Sequence, residues 1–430
     1  MKKLLMIILS FAAALTLFAA CTPMETPSGN PGNTGGGGTG GGGSNPPPVG
    51  AVVEIRTEDD LFAMSNNLNG SYKLMNDITL TKPWKAIGTS QAPFTGVFDG
   101  SNFTLTNVVV ESDILEVDDT SIDYMIGMFG VLKGDIKRLK VNALTINVSQ
   151  TTVQNSSYAT LLSQNGDVTD LTIHAGLVGA NKGNIENVTL NVDYDIVPQT
   201  ASARVRVGGV AGKSNDKIAD CSVSGDVNVT TSDGYIRAGG VAGYVSSNGK
   251  VKGNKSTANI TATITTGAKI QLGGIVGNIE CGIIEDCFAT GDLVGVNTAS
   301  KSSVAGGIVG QIDNTEYKYE DMSVTVNACY STANVAVTGT KGYAAGLIGQ
   351  VDFNYAVIVT GNACSGTILG VKGTYGFIGR MQTALGVLLT TGDFTNGVYN
   401  NLVTVSGNSS VTQDSFATKI DSLTVPEKFN

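Results

Sequence analysis

The chain has 430 residues, including 56 glycines but a single tryptophan and a single histidine; 41% are hydrophobic, 15% are charged, and the formal net charge is −9. Typical domains carry about 25% charged residues and about 7% glycine, so a chain this poor in charge and this rich in Gly, Val and Thr is neither a disordered segment nor a helical bundle. The acidic balance speaks against nucleic acid and anionic lipid as partners, because both require a basic footprint.

Lys2 and Lys3 precede an apolar run from Leu4 to Ala20 that only Ser10 and Thr16 interrupt. A positive start, a short hydrophobic stretch and small residues before a break describe an export signal rather than a membrane span. The run ends Leu17-Phe18-Ala19-Ala20-Cys21, which resembles a bacterial lipoprotein signal cleaved ahead of a lipid-modified cysteine. The resemblance implies a signal peptide over residues 1–20, Cys21 as the lipid anchor, and the membrane as a partner through that anchor. Thr22 stands where an aspartate often goes with inner-membrane retention, so the expected place is the outer membrane, at the cell surface. Residues 21–50 read as a tether: a Gly35–Gly43 tract broken only by Thr39, followed by Pro46-Pro47-Pro48, cannot bury a core.

From residue 51 the chain repeats. Gly127-Met128-Phe129-Gly130 returns as Gly176-Leu177-Val178-Gly179, Gly209-Val210-Ala211-Gly212 and Gly240-Val241-Ala242-Gly243. It continues as Gly274-Ile275-Val276-Gly277, Gly307-Ile308-Val309-Gly310, Gly346-Leu347-Ile348-Gly349 and Gly376-Phe377-Ile378-Gly379, the closing glycines lying 30 to 49 residues apart. A second element follows each copy, as in Ile218-Ala219-Asp220-Cys221 and Ile284-Glu285-Asp286-Cys287, and then an alternating run such as Ile260 to Ile264. Short β-branched segments divided by Gly, Asn and Asp are strands and turns. A unit of this length cannot bury its own apolar face, and stacking equivalent strands in parallel solves the problem. The predicted fold is therefore all-β, a parallel β-helix of about 30–35 residues per coil over residues 51–430, its repeats at about 120–380.

These elements resemble the GLUG-motif family, together with the stretches Tyr72 to Ile78, Trp84 to Gly88 and Phe94 to Gly100. The family implies a β-helical surface protein, similar to surface lipoproteins of Bacteroides-type bacteria and to non-catalytic segments of bacterial IgA-cleaving metallopeptidases. It does not imply one activity, because fold does not carry function.

At the start of the solenoid, Thr57-Glu58-Asp59-Asp60-Leu61 predicts a helix with Thr57 as N-cap, and Leu61, Met64 and Leu68 on one face, capping the first coil over 57–68. Residues 393–430 leave the repeat and are expected to cap the other end, with Asp393, Asn396 and Asn400 at turns.

Several residues invite chemistry. Cys221, Cys287, Cys329 and Cys364 are aligned with Leu139, Val188 and Asn254, so the position reads as an inward core column, while Cys281 and Cys287 leave a disulfide open. Gly212-Lys213-Ser214 imitates the end of a phosphate loop, but Val207 occupies the place of its first glycine. His174, as the sole histidine, cannot build a two-histidine metal site, and Trp84 reads as packing. Asp226, Asn259, Asp292 and Asn334 recur after the cysteine position and are expected to stack as a surface ladder. Carboxylates about 5–9 Å apart serve glycosidases, but Asp and Asn also suit repeated turns. The sequence reading assigns no catalytic, metal or cofactor residues. It expects a non-enzymatic surface lipoprotein that adheres to glycans or host proteins, with a polysaccharide-cleaving lyase or hydrolase, or a structural part of an envelope assembly, as alternatives.

Overall fold

The computed structural model describes residues 51–410 except 112–113, 118–120, 149–169, 199–202, 248, 299–300, 315–322, 340, 384–387, 391–396, 400–402 and 407. The leader, Cys21, the tether and the expected turn residues Asp393, Asn396 and Asn400 lie outside the described residues.

The described chain is a parallel β-helix. Its coils run through four sheets, and one coil shows the pattern: Arg204–Gly208 in sheet I, Ala211–Ser214 in sheet II, Lys217–Ala219 in sheet III and Ser222–Thr231 in sheet IV. Each strand pairs in parallel with its equivalent one coil on: Val205 with Ile236, Ala211 with Ala242, Ile218 with Val251, and Val223 with Ser256. Period-two burial makes this possible, since Val223, Val227 and Val229 point inward while Ser222, Asp226 and Asn228 do not.

In sheet III one inward column runs through Tyr72, Phe98, Ile136, Ile185, Ile218, Val251, Ile284, Val326, Val359 and Val405. All are buried. Each such side chain contributes about 1.5–3 kcal/mol on burial, so stability accumulates coil by coil. The turn from sheet III to sheet IV carries a left-handed residue in successive coils, with φ of 52° at Arg138, 55° at Asn187, 52° at Asp220 and 53° at Asp286.

The N-terminal end is closed as expected, though with a shorter helix. Val52–Ile55 pairs with Ser71–Leu74, and between them lie an α-helix at Glu58–Phe62 and a 3-10 turn at Ala63–Asn66. Thr57 accepts from the Asp60 backbone N–H, and the Asp60 carboxylate accepts from that of Thr57. Leu61 and Met64 join the core, and Leu68 packs against it. Phe62 stacks on Trp84 at 5.3 Å, and the Trp84 indole N–H donates to the Met128 carbonyl at 2.8 Å, so Trp84 is packing.

At the other end the repeat persists further than expected. Val403–Ser406 pairs in parallel with Ala356–Thr360, adding another rung to sheet III, and Gly397–Tyr399 folds back antiparallel on it. Sheet II also finishes there in an antiparallel pair, Met381–Thr383 on Leu388–Thr390, while sheet I carries its antiparallel pair at the opposite, N-terminal edge, Ile114–Val117 on Ser121–Ile126. Reversing the chain at an edge blocks further parallel stacking there.

Candidate functional site: a groove between two sheets

Both motif glycines are explained by close approach. The first faces the core: a Cβ on Gly240 would lie 2.0 Å from Ser256 Oγ, and one on Gly274 would lie 2.5 Å from Ala289 Cβ. The second faces outward, where a Cβ on Gly212, Gly243, Gly277 or Gly310 would come within 2.5–2.6 Å of a backbone nitrogen in sheet I of the preceding coil. The chain thus folds back at the motif, and the outer faces of sheets I and II close on each other as the walls of a groove.

Outward positions on both sides of the motif line this groove. On sheet I the column is Met125, His174, Arg206, Arg237, Gln271, Val304 and Tyr343. On sheet II it is Val131, Ala180, Lys213, Tyr244, Asn278, Gln311 and Gln350. At the N-terminal end Met125, Val131 and Ala180 make a small apolar cluster separate from the main core. Further along the groove becomes polar and charged.

Its middle opens into a cleft of about 390 Å³ lined by Arg204, Arg206, Tyr235, Arg237, Lys269, Gln271, Gln311, Asp313 and Asp352. The Arg206 and Arg237 guanidiniums both lie over the Tyr244 ring, at 4.3 and 4.6 Å. Burial, then the neighbouring Arg237, lowers Arg206 to about 10. From Arg237 a chain of bonds crosses the groove: its Nε donates to Gln271 Oε1 at 2.8 Å, Gln271 donates to Gln311, and Gln311 Nε2 donates to Asp352 Oδ2 at 2.7 Å. Gln350 Nε2 donates to Asp352 as well, and Lys269 Nζ donates to Gln350 Oε1 at 3.3 Å. Burial lowers Lys269 to about 8 and raises Asp352. Burial also raises the Tyr244 hydroxyl, with Glu280 adding to it.

His174 lies in the groove floor, fully buried, with Nε2 3.6 Å from Asp123 Oδ2 and neither ring nitrogen hydrogen-bonded. Burial lowers it to about 4 despite Asp123. Lys213, from the phosphate-loop look-alike, faces the Tyr244 ring at 5.9 Å, and burial lowers its pKa.

The expected surface ladder lies elsewhere, on sheet IV. Asn259 Nδ2 donates to Asp226 Oδ1 at 3.0 Å, the Asp292 backbone N–H donates to Asn259 Oδ1 at 3.1 Å, and Asn334 Nδ2 donates to Asp292 Oδ1 at 2.9 Å. All four residues are exposed. Asp226 and Asp292 are two coils apart with Asn259 bridging them, and Asp193 stacks on Asp226 from the coil before. These residues sit where sheet IV breaks into two runs, as between Lys255–Ser256 and Asn259–Ile264, and not at the left-handed corner.

The cysteine column needs one correction. Cys221, Cys287 and Cys329 are buried and aligned with Leu139, Val188 and Asn254, but the next member is Asn362; Cys364 pairs with Ser331 one column over. The sequence frame slipped because Asn362-Ala363-Cys364 offers two candidates two residues apart. The Asn side chains replace thiols by bridging coils: Asn254 accepts from the Cys221 N–H at 2.9 Å and donates to the Ile218 carbonyl at 3.0 Å, and Asn362 does the same for Cys329 and Val326. The Cys221, Cys287 and Cys329 thiols each donate to the carbonyl two residues earlier at 3.2 Å. Cys281 and Cys287, both buried, are not joined by a disulfide. Among the described residues no cluster of metal-ligating side chains is found.

No family model matches the chain, and no curated protein matches it, so the GLUG resemblance rests on the motif residues alone. Among solved structures the chain is similar to a protein described as a "putative immunoglobulin A1 protease" from Bacteroides ovatus, at 15% identity over 86% of each chain, with a TM-score of 0.39. A likeness that low carries no argument about activity.

Proposed function

We propose that this chain is a GLUG-type surface lipoprotein, anchored through Cys21 in the outer membrane, whose β-helix binds a glycan or host-surface protein without transforming it. The observation that carries the reading is the groove, a concave strip of buried and half-buried hydrogen-bonding and charged side chains in an otherwise regular solenoid. Ligand sites of about 300–1,000 Å³ with a few convergent polar groups are the usual form of small-ligand recognition, and the cleft of about 390 Å³ falls in that range. Two measurements test the reading. Protease added to intact cells should digest the β-helix, whereas protection until lysis would remove the surface role. Purified full-length chain should bind mucin or polysaccharide saturably and return it at unchanged length.

A second reading, a polysaccharide lyase on the same fold, is favoured by one feature. Lys269, lowered to about 8 in a cleft with three arginines, has the character of a general base beside carboxylate-neutralising cations. Appearance of unsaturated products from an acidic polysaccharide, lost in Lys269→Met, would establish that reading in place of the first.

A further inference from the structure

We infer that the cleft between sheets I and II is a site for an acidic saccharide, whose carboxylate or sulfate is held by the guanidiniums of Arg206 and Arg237 beside Lys269. This rests on the binding reading above and names its ligand class.

Charge is the first support. Four cations (Arg204, Arg206, Arg237, Lys269) and two carboxylates (Asp313, Asp352) line the cleft, in a chain whose formal charge is −9. Positive charge is gathered here against the trend of the whole molecule.

Unused donors are the second. Among the described residues the Arg206 guanidinium makes no hydrogen bond or ion pair, and that of Arg237 spends only Nε, on Gln271. A guanidinium offers five N–H donors in a planar fork matched to carboxylate and sulfate oxygens. Two guanidiniums over one ring repel each other, and an anion between them turns that repulsion into attraction. Asp352 is not that anion, since its oxygens already accept from Gln311 and Gln350. Further along the same floor Asn278, fully buried, has neither its donor nor its acceptor partnered. A buried amide in that state marks a place for a bound polar molecule or water.

The remaining lining selects a saccharide among anions. A nucleic acid would present phosphates along the groove and meet Asp313 and Asp352. A saccharide with isolated acid groups carries hydroxyls that donate to those carboxylates and to Gln311. Tyr235, 43% exposed, stands at the rim as a flat surface for a sugar ring.

The test titrates full-length chain in detergent with three oligosaccharides of equal length, one uronic, one sulfated and one neutral, by calorimetry. The uronic or the sulfated compound should bind saturably, the preference between them naming the acid group, and added salt should weaken it. Arg206→Gln should weaken it about 10–100-fold, the loss expected for a hydrogen bond to a charged group. Arg206→Lys should recover only part, having charge without the fork. Tyr235→Ala and Lys269→Gln, at the rim and side of the cleft, carry the test if Arg206→Gln fails to fold. Equal binding of the neutral compound, untouched by these variants, would overturn the inference and leave the binding reading standing. Equal competition by polyglutamate would overturn the saccharide assignment. Binding of no saccharide or mucin at all would remove the binding reading itself.

Discussion

The two polar faces of this solenoid are built on opposite plans. On sheet IV, Asp226, Asn259, Asp292 and Asn334 alternate carboxylate and amide, each bonded to the next and open to solvent. In the groove between sheets I and II the polar side chains change identity at almost every rung and are buried, as at Gln271 and Gln311, or half-buried, as at Arg206 and Arg237. Beside the bonding network there stand buried groups without hydrogen-bond partners, the His174 ring and the Asn278 amide. The ladder satisfies itself, whereas the groove concentrates like charge and leaves donors unspent. Repetition stabilises a solenoid, and departure from repetition within a fixed frame is where a ligand can be read.

The largest expected effect comes from closing the groove at its hinge. In Gly277→Ala the new methyl would lie 2.6 Å from the Ala238 nitrogen and 2.7 Å from the Gly243 carbonyl oxygen. Backbone cannot yield as a side-chain tip can, so the variant should lose about 3 kcal/mol. The control is Gly295→Ala on sheet IV, where the nearest atoms are at 3.7 Å and the φ is unexceptional. That change should be neutral or stabilising by about 0.4–1 kcal/mol. Equal denaturation midpoints for the two variants would show that the glycines of the motif do not hold the walls together.

The second effect is a pH dependence belonging to the groove alone. Unfolded His174 takes up a proton near 6.5, and the folded chain refuses it until about 4. Within that window the unfolded state binds more protons, so stability falls as the pH drops and is restored as it rises, by about 3 kcal/mol in all. His174→Gln should flatten the slope between pH 6.5 and 4 in urea melts. A slope unchanged in the variant would move its origin to the carboxylates.

How much of this was legible follows the same division. The motif repeat and its β-branched spacing disclosed the parallel coils, and the Asp/Asn recurrence disclosed which residues stack, because in-register stacking converts sequence period directly into neighbourhood. The groove was not disclosed, since its columns share no residue type. Its signal was positional: Arg206, Arg237 and Gln271 stand three residues before the first motif glycine, and Lys213, Tyr244 and Gln311 directly after the second. In sequence Lys213 and His174 resemble fragments of other motifs, and the fold-back that brings them together depends on backbone contact at glycine, which no side-chain pattern encodes. Cys364 was misplaced for a related reason, because Asn362 performs the bridging that Asn254 performs and so holds the column that a match on cysteine alone assigns to Cys364.

The smallest expected effect separates ladder from groove most cleanly. Asp226→Asn keeps the shape of the side chain and an oxygen that can still accept from Asn259, and exposed polar pairs contribute little, so stability should change by less than about 0.5 kcal/mol. Asn259→Asp is the more searching change, because it removes the amide donor that reaches Asp226 and sets four carboxylates, at 193, 226, 259 and 292, on successive coils. Like charges directly opposite on neighbouring strands should cost about 0.5–1 kcal/mol at low salt, and the cost should fade as salt screens it. Neither variant touches the groove, so saccharide affinity should stay at the wild-type value in both. A loss of affinity in Asp226→Asn or Asn259→Asp would place ligand on sheet IV and return the ladder to the centre of the function.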